Sequence, residues 1–332
     1  YKINFITYED NTKKKKFKKK FYFNKNINIV SSSIISGIKN RYPKYFFCIF
    51  TLLFYSIFKK GIIISFQGNI LPILVAKVTF SKIIIRCNTA PSKYVDNFLK
   101  RIFFKSFYRL SDIILVTSED FKKEFYKYFK LHSVVHKQSL DIKEIKKKSQ
   151  NSVNFSFFKN FNGLKIINVG RLTNQKDQIT LLKAFAKLVK IRSARLLLIG
   201  SGSDKDKLEN FINQKKLIDK VKIIPFTPNP FKYISLSNIK VLSSRFEGNP
   251  NILLEIASLK KFIISSNCKV GPREILQSGK GGMLFKVGDY NRLFLILKKI
   301  DLKSRLIKSK IENSYKYVHN NFQKDISISF ID

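Results

Sequence analysis

The feature that most constrains this chain is its alternation of short apolar runs with segments of helical length and pattern. Strand-like runs stand at 62–66, 82–86 and 113–117, and again at 165–169, 195–199, 221–224, 239–242 and 262–265. Such alternation predicts parallel βαβ units. After the run at 165–169, Leu181, Leu182, Phe185, Leu188 and Val189 share one face of a helix. A polar, loosely patterned stretch at 146–162 interrupts the alternation and reads as a linker. The chain is therefore expected to be α/β, with two doubly wound domains joined near residue 155: a first at 1–155 and a second at 156–314. Ligands of such folds bind at the carboxyl ends of the strands.

Length agrees, because 332 residues exceed one ordinary core and 44% hydrophobic content can fill two. Charge is less specific. Lys and Arg number 64 against 22 acidic residues, a net charge of +42. This fits attraction to an anionic membrane or to nucleic acid. It equally fits an AT-rich coding sequence, since Lys, Asn, Ile and Phe abound and Trp is absent. The basic residues are spread along the chain, and only 13–20 (KKKKFKKK) forms a block. Cys48, Cys87 and Cys268 are odd in number and lack metal-ligand spacing, which argues against a disulfide framework and for a reducing, cytoplasmic compartment. The longest apolar run, 45–58, lies between Lys44 and Lys59. It is shorter than the roughly 17–25 residues of a spanning helix. It reads as a buried helix or as one lying on a membrane surface. The opening YKINFIT reads as a strand at once.

Two segments carry candidate chemistry. Gly170-Arg171-Leu172-Thr173-Asn174-Gln175-Lys176-Asp177 follows an apolar strand and precedes the Leu181 helix. Arg171 and Lys176 thus lie at a strand's carboxyl end. They can hold a diphosphate, Arg by its planar fork and Lys as a point charge, or they are solvated loop charges. The second segment is Arg245-Phe246-Glu247-Gly248-Asn249-Pro250-Asn251-Ile252-Leu253-Leu254-Glu255. Asn249 suits an N-cap and Pro250 a first helical turn. The helix start that follows suits an anion, with Glu247 before it and Glu255 within it, or it is a capped structural helix with two surface carboxylates.

GRLTNQKD followed by RFEGNPNILLE resembles glycosyltransferase family four, the retaining family with the GT-B fold. Glu247 and Glu255 reproduce its E-x7-E spacing. LLLIGSGSDKDKLE, IIPFTPNPFKYISLSNIKVLSS, SSNCKVGPREIL and GGMLFKVGD resemble further family segments in the right order, and IILVTSEDFKKEF resembles one from the first half. The resemblance implies that Arg171 and Lys176 hold the donor diphosphate and stabilise the leaving group. It implies that Glu247 binds the transferred sugar, that Gly248, Asn249, Pro250 and Asn251 contact sugar and phosphate, and that Glu255 receives the ribose hydroxyls. The backbone near Phe226 and Thr227 is expected to read the base. Fixed cations and a helix terminus favour charge separation at the anomeric bond, so neither a metal nor a cofactor is expected.

The resemblance also implies that the last helix, 315–332, completes the first domain. The family's first strand and Gly-rich acceptor loop are expected to be missing before YKINFIT. Arg86, Asn88 and Ser92 are weak candidates for the acceptor side. The reaction implied is transfer of a hexose-type sugar, with retention, from a UDP-sugar to a glycan or lipid-linked acceptor. The enzyme would sit in the cytoplasm, with peripheral contact with an anionic membrane and no nucleic-acid partner. Two rival readings stand beside it. A glycoside hydrolase would use Glu247 and Glu255 as its acid and base, and a basic nucleic-acid-binding protein would use the net charge alone. Asp204-Lys205-Asp206 has the form of a metal-binding D-x-D but follows a Gly-rich turn, where acids favour a helix start. His132, His136 and His319 lack ligand spacing.

Overall fold

The computed structural model describes residues 3–6, 27–30, 40–59, 61–66 and 68–323. The basic block at 13–20 lies outside them, as do residues 324–332 of the expected last helix. The chain divides into two compact units. The first comprises Tyr1–Asn88, Tyr94–Leu115 and Tyr126–Val134; the second comprises Thr89–Lys93, Val116–Phe125 and Val135–Asp332.

In the first unit, β1 (Ile3–Ile6) pairs in parallel with β2 (Ile27–Val30). A four-stranded sheet follows in chain order: β3 (Ile62–Ser65), β4 (Lys82–Arg86), β5 (Ile113–Val116) and the short β6 (Val134–Val135). The β3–β4 and β4–β5 pairs are parallel. The long apolar run folds as α1 (Arg41–Phe58), where the Asn40 side chain accepts a hydrogen bond from the Tyr42 N–H. Tyr42, Phe46, Phe50, Phe54, Ile57 and Phe58 of α1 form an exposed stripe. The expectation of a buried helix is corrected on that face. Then come α2 (Ile70–Val78) and α3 (Phe98–Tyr108), while α4 (Glu119–Phe129) starts in the second unit and ends in the first.

In the second unit α5 (Ile142–Ser149) follows, capped by Asp141, whose side chain accepts from the Glu144 N–H. The expected linker at 146–162 therefore opens inside a helix. Its remainder packs rather than dangles, because Phe155, Phe157 and Phe158 form an aromatic cluster with Tyr233. Six parallel strands follow: β7 (Leu164–Val169), β8 (Ala194–Ile199), β9 (Val221–Ile224), β10 (Ile239–Leu242), β11 (Phe262–Ser266) and β12 (Met283–Phe285). Their order across the sheet is β12-β11-β10-β7-β8-β9. The chain moves outward from β7 on one side, then returns to start β10 on the other. The loops after β7 and β10 consequently diverge, opening a crevice at the carboxyl ends.

Helices cover both faces of this sheet. One apolar cluster joins Ile166, Leu196 and Val241 to Leu181, Leu182, Phe185 and Leu188 of α6 (Gln178–Leu188), with Leu208 of α7 (Lys205–Gln214) and Leu293 of α11 (Tyr290–Lys299). The other joins Ile167, Leu197 and Leu242 to Phe231 of α8 (Phe231–Ser235), Leu253 and Leu254 of α9 (Asn251–Ser258), Ile275 of α10 (Pro272–Ile275), and Val318 and Phe322 of α12 (Arg305–Phe322). Each fully buried Leu or Phe contributes about 1.5–3 kcal/mol relative to exposure. The two faces together fix the strand ends to which the site residues attach.

Candidate active site

The site is built from the two loops that diverge at the sheet's reversal. After β7, the chain turns at Gly170, whose N–H donates to the Ile199 carbonyl at 2.9 Å. The neighbouring turn after β8 presses close: a Cβ at Gly200 would meet the Gly170 carbonyl, and one at Gly202 would meet that of Leu172. Only glycine allows this approach. Arg171 is exposed, and its guanidinium donates to Gln175 Oε1 at 2.9 Å. Gln175 in turn donates from Nε2 to the Phe246 carbonyl, and its own carbonyl accepts from the Arg245 N–H. The two loops are thus tied together.

The strongest tie is ionic. Lys176 Nζ lies 2.6 Å from Glu247 Oε1, with side-chain exposures of 17% and 6%. Asp177 ends the loop with φ 48°, and its carboxylate accepts from Thr180 Oγ1 and faces Arg245 Nε at 3.5 Å. Beneath, Gln178 donates to the Arg171 carbonyl, while Asn168 donates to the carbonyl of Val241. Around the crossing, Thr173 Oγ1, Ser244 Oγ, Asn249 Nδ2 and Asn251 Oδ1 are buried without a hydrogen-bond partner among the described residues. Buried polar atoms are rarely left so.

The expected N-cap at Asn249 is corrected. Pro250 takes φ −76° and ψ 82°, and Asn251 N–H reaches back to the Asn249 carbonyl at 2.9 Å. This inverse γ-turn geometry postpones the helix to Asn251, and no side chain caps it. Glu255 lies one turn in.

Beside the crossing is a cavity of about 720 Å³. Arg171, Phe226, Thr227 and Glu255 line it, together with Val169, Gly200, Ser201, Phe231, Glu144 and Lys148. Of the residues expected from sequence, the cavity brings these four together. Lys176 and Glu247 form the adjoining pair, and Gly248, Asn249, Pro250 and Asn251 form the loop leading to α9. Phe226 exposes 69% of its surface, and its N–H donates to Ser201 Oγ at 3.3 Å. Burial pushes the Glu255 carboxyl above its ordinary range, while Lys240 and Lys148 oppose the shift. Burial also holds the Lys240 ammonium well below its usual range.

The weaker candidates lie elsewhere. Arg86 and Asn88 belong to the first unit, where Asn88 Nδ2 donates to the Phe66 carbonyl. Ser92 sits in the 3₁₀ turn Pro91–Lys93, its N–H held by Glu124 Oε1 at 3.0 Å. Asp204 occupies the N-cap position of α7 and Asp206 its first turn, as expected of a helix start. Sequence reasoning passed over Lys240 altogether. Its signal was available, a single charge inside the apolar strand run at 239–242.

Residues 150–316 match the family described as Glycosyl transferases group 1, and the chain belongs to that family. It is 32% identical over 244 residues to an uncharacterized glycosyltransferase of Methanocaldococcus jannaschii, covering 66% of this chain and 58% of that protein. Over 151 residues it is 31% identical to N-acetylgalactosamine-N,N'-diacetylbacillosaminyl-diphospho-undecaprenol 4-alpha-N-acetylgalactosaminyltransferase of Campylobacter jejuni, covering 46% of this chain and 40% of that one. The chain thus spans little more than half the length of the first relative and less than half of the second. An Anabaena structure in complex with UDP and glucose superposes with a TM-score of 0.75 at 13% identity, covering 96% of this chain and 88% of the other. That likeness is one of fold: two doubly wound units of the GT-B class.

Proposed function

We propose that the protein transfers a hexose-type sugar from UDP to a glycan or lipid-linked acceptor, with retention at the anomeric carbon and without a metal ion. The observation that carries this reading is the crossing of the β7 and β10 loops. It sets Arg171 and Glu255 in one cavity and the Lys176–Glu247 pair at its edge. In this reading Arg171 and Lys176 receive the diphosphate and stabilise the charge left on it as the glycosidic bond opens. Glu247 binds the sugar's hydroxyls, Asn249 and Asn251 supply the donor and acceptor they now leave unspent, and Glu255 accepts from the ribose. Thr227 and Phe226 flank the base.

In this reading the first unit serves the acceptor and the second the donor, with Glu144 and Lys148 of α5 lining the donor cavity. The relative from Campylobacter is named for a diphospho-undecaprenol substrate, and this favours a lipid-linked acceptor here too. The exposed aromatic stripe of α1, next to Lys59 and with no acid in its first turn, suits peripheral contact with an anionic cytoplasmic membrane face. No helix among the described residues is long and apolar enough to cross a membrane.

Calorimetric titration with UDP-, GDP- and ADP-sugars tests the donor. Binding of UDP-sugars with transfer that survives EDTA is expected. Loss of transfer with EDTA and its return with Mn²⁺ would overturn metal independence. Release of free sugar from a simple glycoside with no nucleotide would overturn the transferase reading in favour of hydrolysis.

A further inference from the structure

One buried charge beneath the cavity has no part in the functions described so far. Lys240 is the second residue of β10 and is 0% exposed. Its neighbours Ile239 and Val241 belong to the apolar cluster on one face of the sheet, and Leu242 to the cluster on the other. Alternation in a strand puts Lys240 on the Leu242 face, the face covered by Leu253 and Leu254 of α9. Its stem crosses that apolar layer, and its Nζ comes to 3.3 Å from the Val169 carbonyl at the carboxyl end of β7. Val169 lines the cavity, as does Glu255.

An ammonium has three protons to donate, and the Val169 carbonyl takes one of them at 3.3 Å. A lysine buried for packing alone would be a poor choice, because an apolar residue of similar volume fills such a place at no electrostatic cost. The charges around it explain the choice. Glu247 already has its cation in Lys176 at 2.6 Å. Glu255 has no hydrogen bond or ion pair at its carboxylate among the described residues; burial raises it, and Lys240 beneath the cavity and Lys148 on its wall oppose that rise. Lys148 is itself paired with Glu144 at 2.7 Å and is partly exposed to solvent.

We propose that Lys240 is a positioning residue: the buried counter-charge that keeps Glu255 ionised and directed into the cavity, where it receives paired hydroxyls of a bound nucleoside. This rests on the donor-site reading for the nature of the ligand, but not for the coupling between the two side chains. The charged groups in and beside the cavity that holds Glu255 come from several elements. They are Lys148 and Glu144 of α5, Arg171 after β7, the Lys176–Glu247 pair, and Lys240 from below. Of these, only Lys240 is wholly out of solvent, so it acts on Glu255 with the least screening.

The test uses the full chain and Lys240→Met, which keeps length and apolar bulk while removing the charge. The titration of Glu255 is followed by NMR of δ-¹³C-labelled glutamate, its signal assigned by its loss in Glu255→Gln. In the variant the Glu255 midpoint should rise by about one pH unit or more, which is tenfold in the ionisation equilibrium. Stranding Glu255 should lower the melting temperature of the variant at pH above the Glu255 midpoint, and the loss should shrink as pH falls through that midpoint, an outcome that a purely structural lysine would not give. UDP binding, followed by calorimetry between pH 5.5 and 8.5, should weaken as pH falls through the Glu255 midpoint, and in Lys240→Met that loss should move to higher pH. Glu255→Gln and the double variant should share one flat profile. An unmoved Glu255 midpoint in a folded Lys240→Met protein would overturn the proposal. A protein that binds no nucleotide at any pH would overturn the donor reading instead, with the NMR midpoints still deciding the coupling. If Lys240→Met fails to fold, Lys240→Leu repeats the comparison, and failure of both would assign Lys240 to the fold rather than to Glu255.

Discussion

The two sheets of this molecule are written in the same alphabet and end up in different surroundings. In the second unit, β10 and β11 are buried at every residue. In the first, β3 alternates exposed and buried, with Ile62 and Ile64 showing 53% and 46% of their surface. The runs IIIS and FIISS are equally apolar, so composition does not set the difference. What covers each face does. The second unit brings helices to both sides of its sheet. The first unit leaves apolar surface outward on β3 and along α1. One half has spent its hydrophobic residues on rigidity, and the other keeps some for contact.

The largest effect expected from this contrast comes from the same substitution in the two halves. Phe185 is 0% exposed and Phe50 71%. Phe185→Ala should cost about 3–5 kcal/mol, because it leaves a cavity in a packed layer. Phe50→Ala should stay within about 0.5 kcal/mol. Urea denaturation of both variants measures the pair, and equal losses would erase the distinction drawn here.

Next comes the ionic tie. Lys176→Met strands Glu247 at 6% exposure, and breaking such a buried pair costs about 3 kcal/mol. The double variant Lys176→Met/Glu247→Leu should recover much of that stability while remaining inactive. Absence of recovery would mean that the charges do not act as a pair.

Smaller still is Arg171→Ala. Its side chain is exposed, so the melting temperature should not move. Loss of a charge-assisted bond to a diphosphate should weaken UDP binding by about 1.5–3 kcal/mol, roughly ten- to a hundredfold. Unchanged affinity in calorimetry would remove Arg171 from the site.

The smallest effect concerns stability and pH. Burial raises the Glu255 carboxyl in the folded chain, so the folded state holds that proton more tightly than the unfolded state does. Its contribution is therefore greatest below the unfolded pKa of about 4.3 and declines as pH rises to the folded value, levelling off beyond it. Glu255→Gln should flatten that part of the stability profile in denaturation at stepped pH.

Much of this was legible in the sequence, for identifiable reasons. The strands at 221–224 and 239–242 fall where the apolar runs predicted, since each run is bounded by turn-forming or polar residues. The two loops could be found because their residues follow strands directly. Three things could not be read. The packing of the stretch after Ser149 depends on Phe155, Phe157 and Phe158 meeting Tyr233 far along the chain. The late start of α9 depends on the ψ of Pro250, which its fixed φ does not determine. Lys240 looked like one more lysine in a chain of 64 basic residues, and only the burial of its strand on both faces gives it meaning.

If the donor binds as proposed, the 2.6 Å contact between Lys176 and Glu247 makes the crossing a coincidence detector. An anion that engages Lys176 alone pulls it from its partner and leaves a desolvated carboxylate uncompensated. A sugar that engages Glu247 alone does the converse to the ammonium. Either fragment must overcome the attraction it disrupts, and neither restores it. A molecule that carries phosphate and sugar in one covalent unit answers both groups at the same moment. Selectivity for the intact conjugate over its separated halves then follows from two side chains that, until both are addressed, prefer each other.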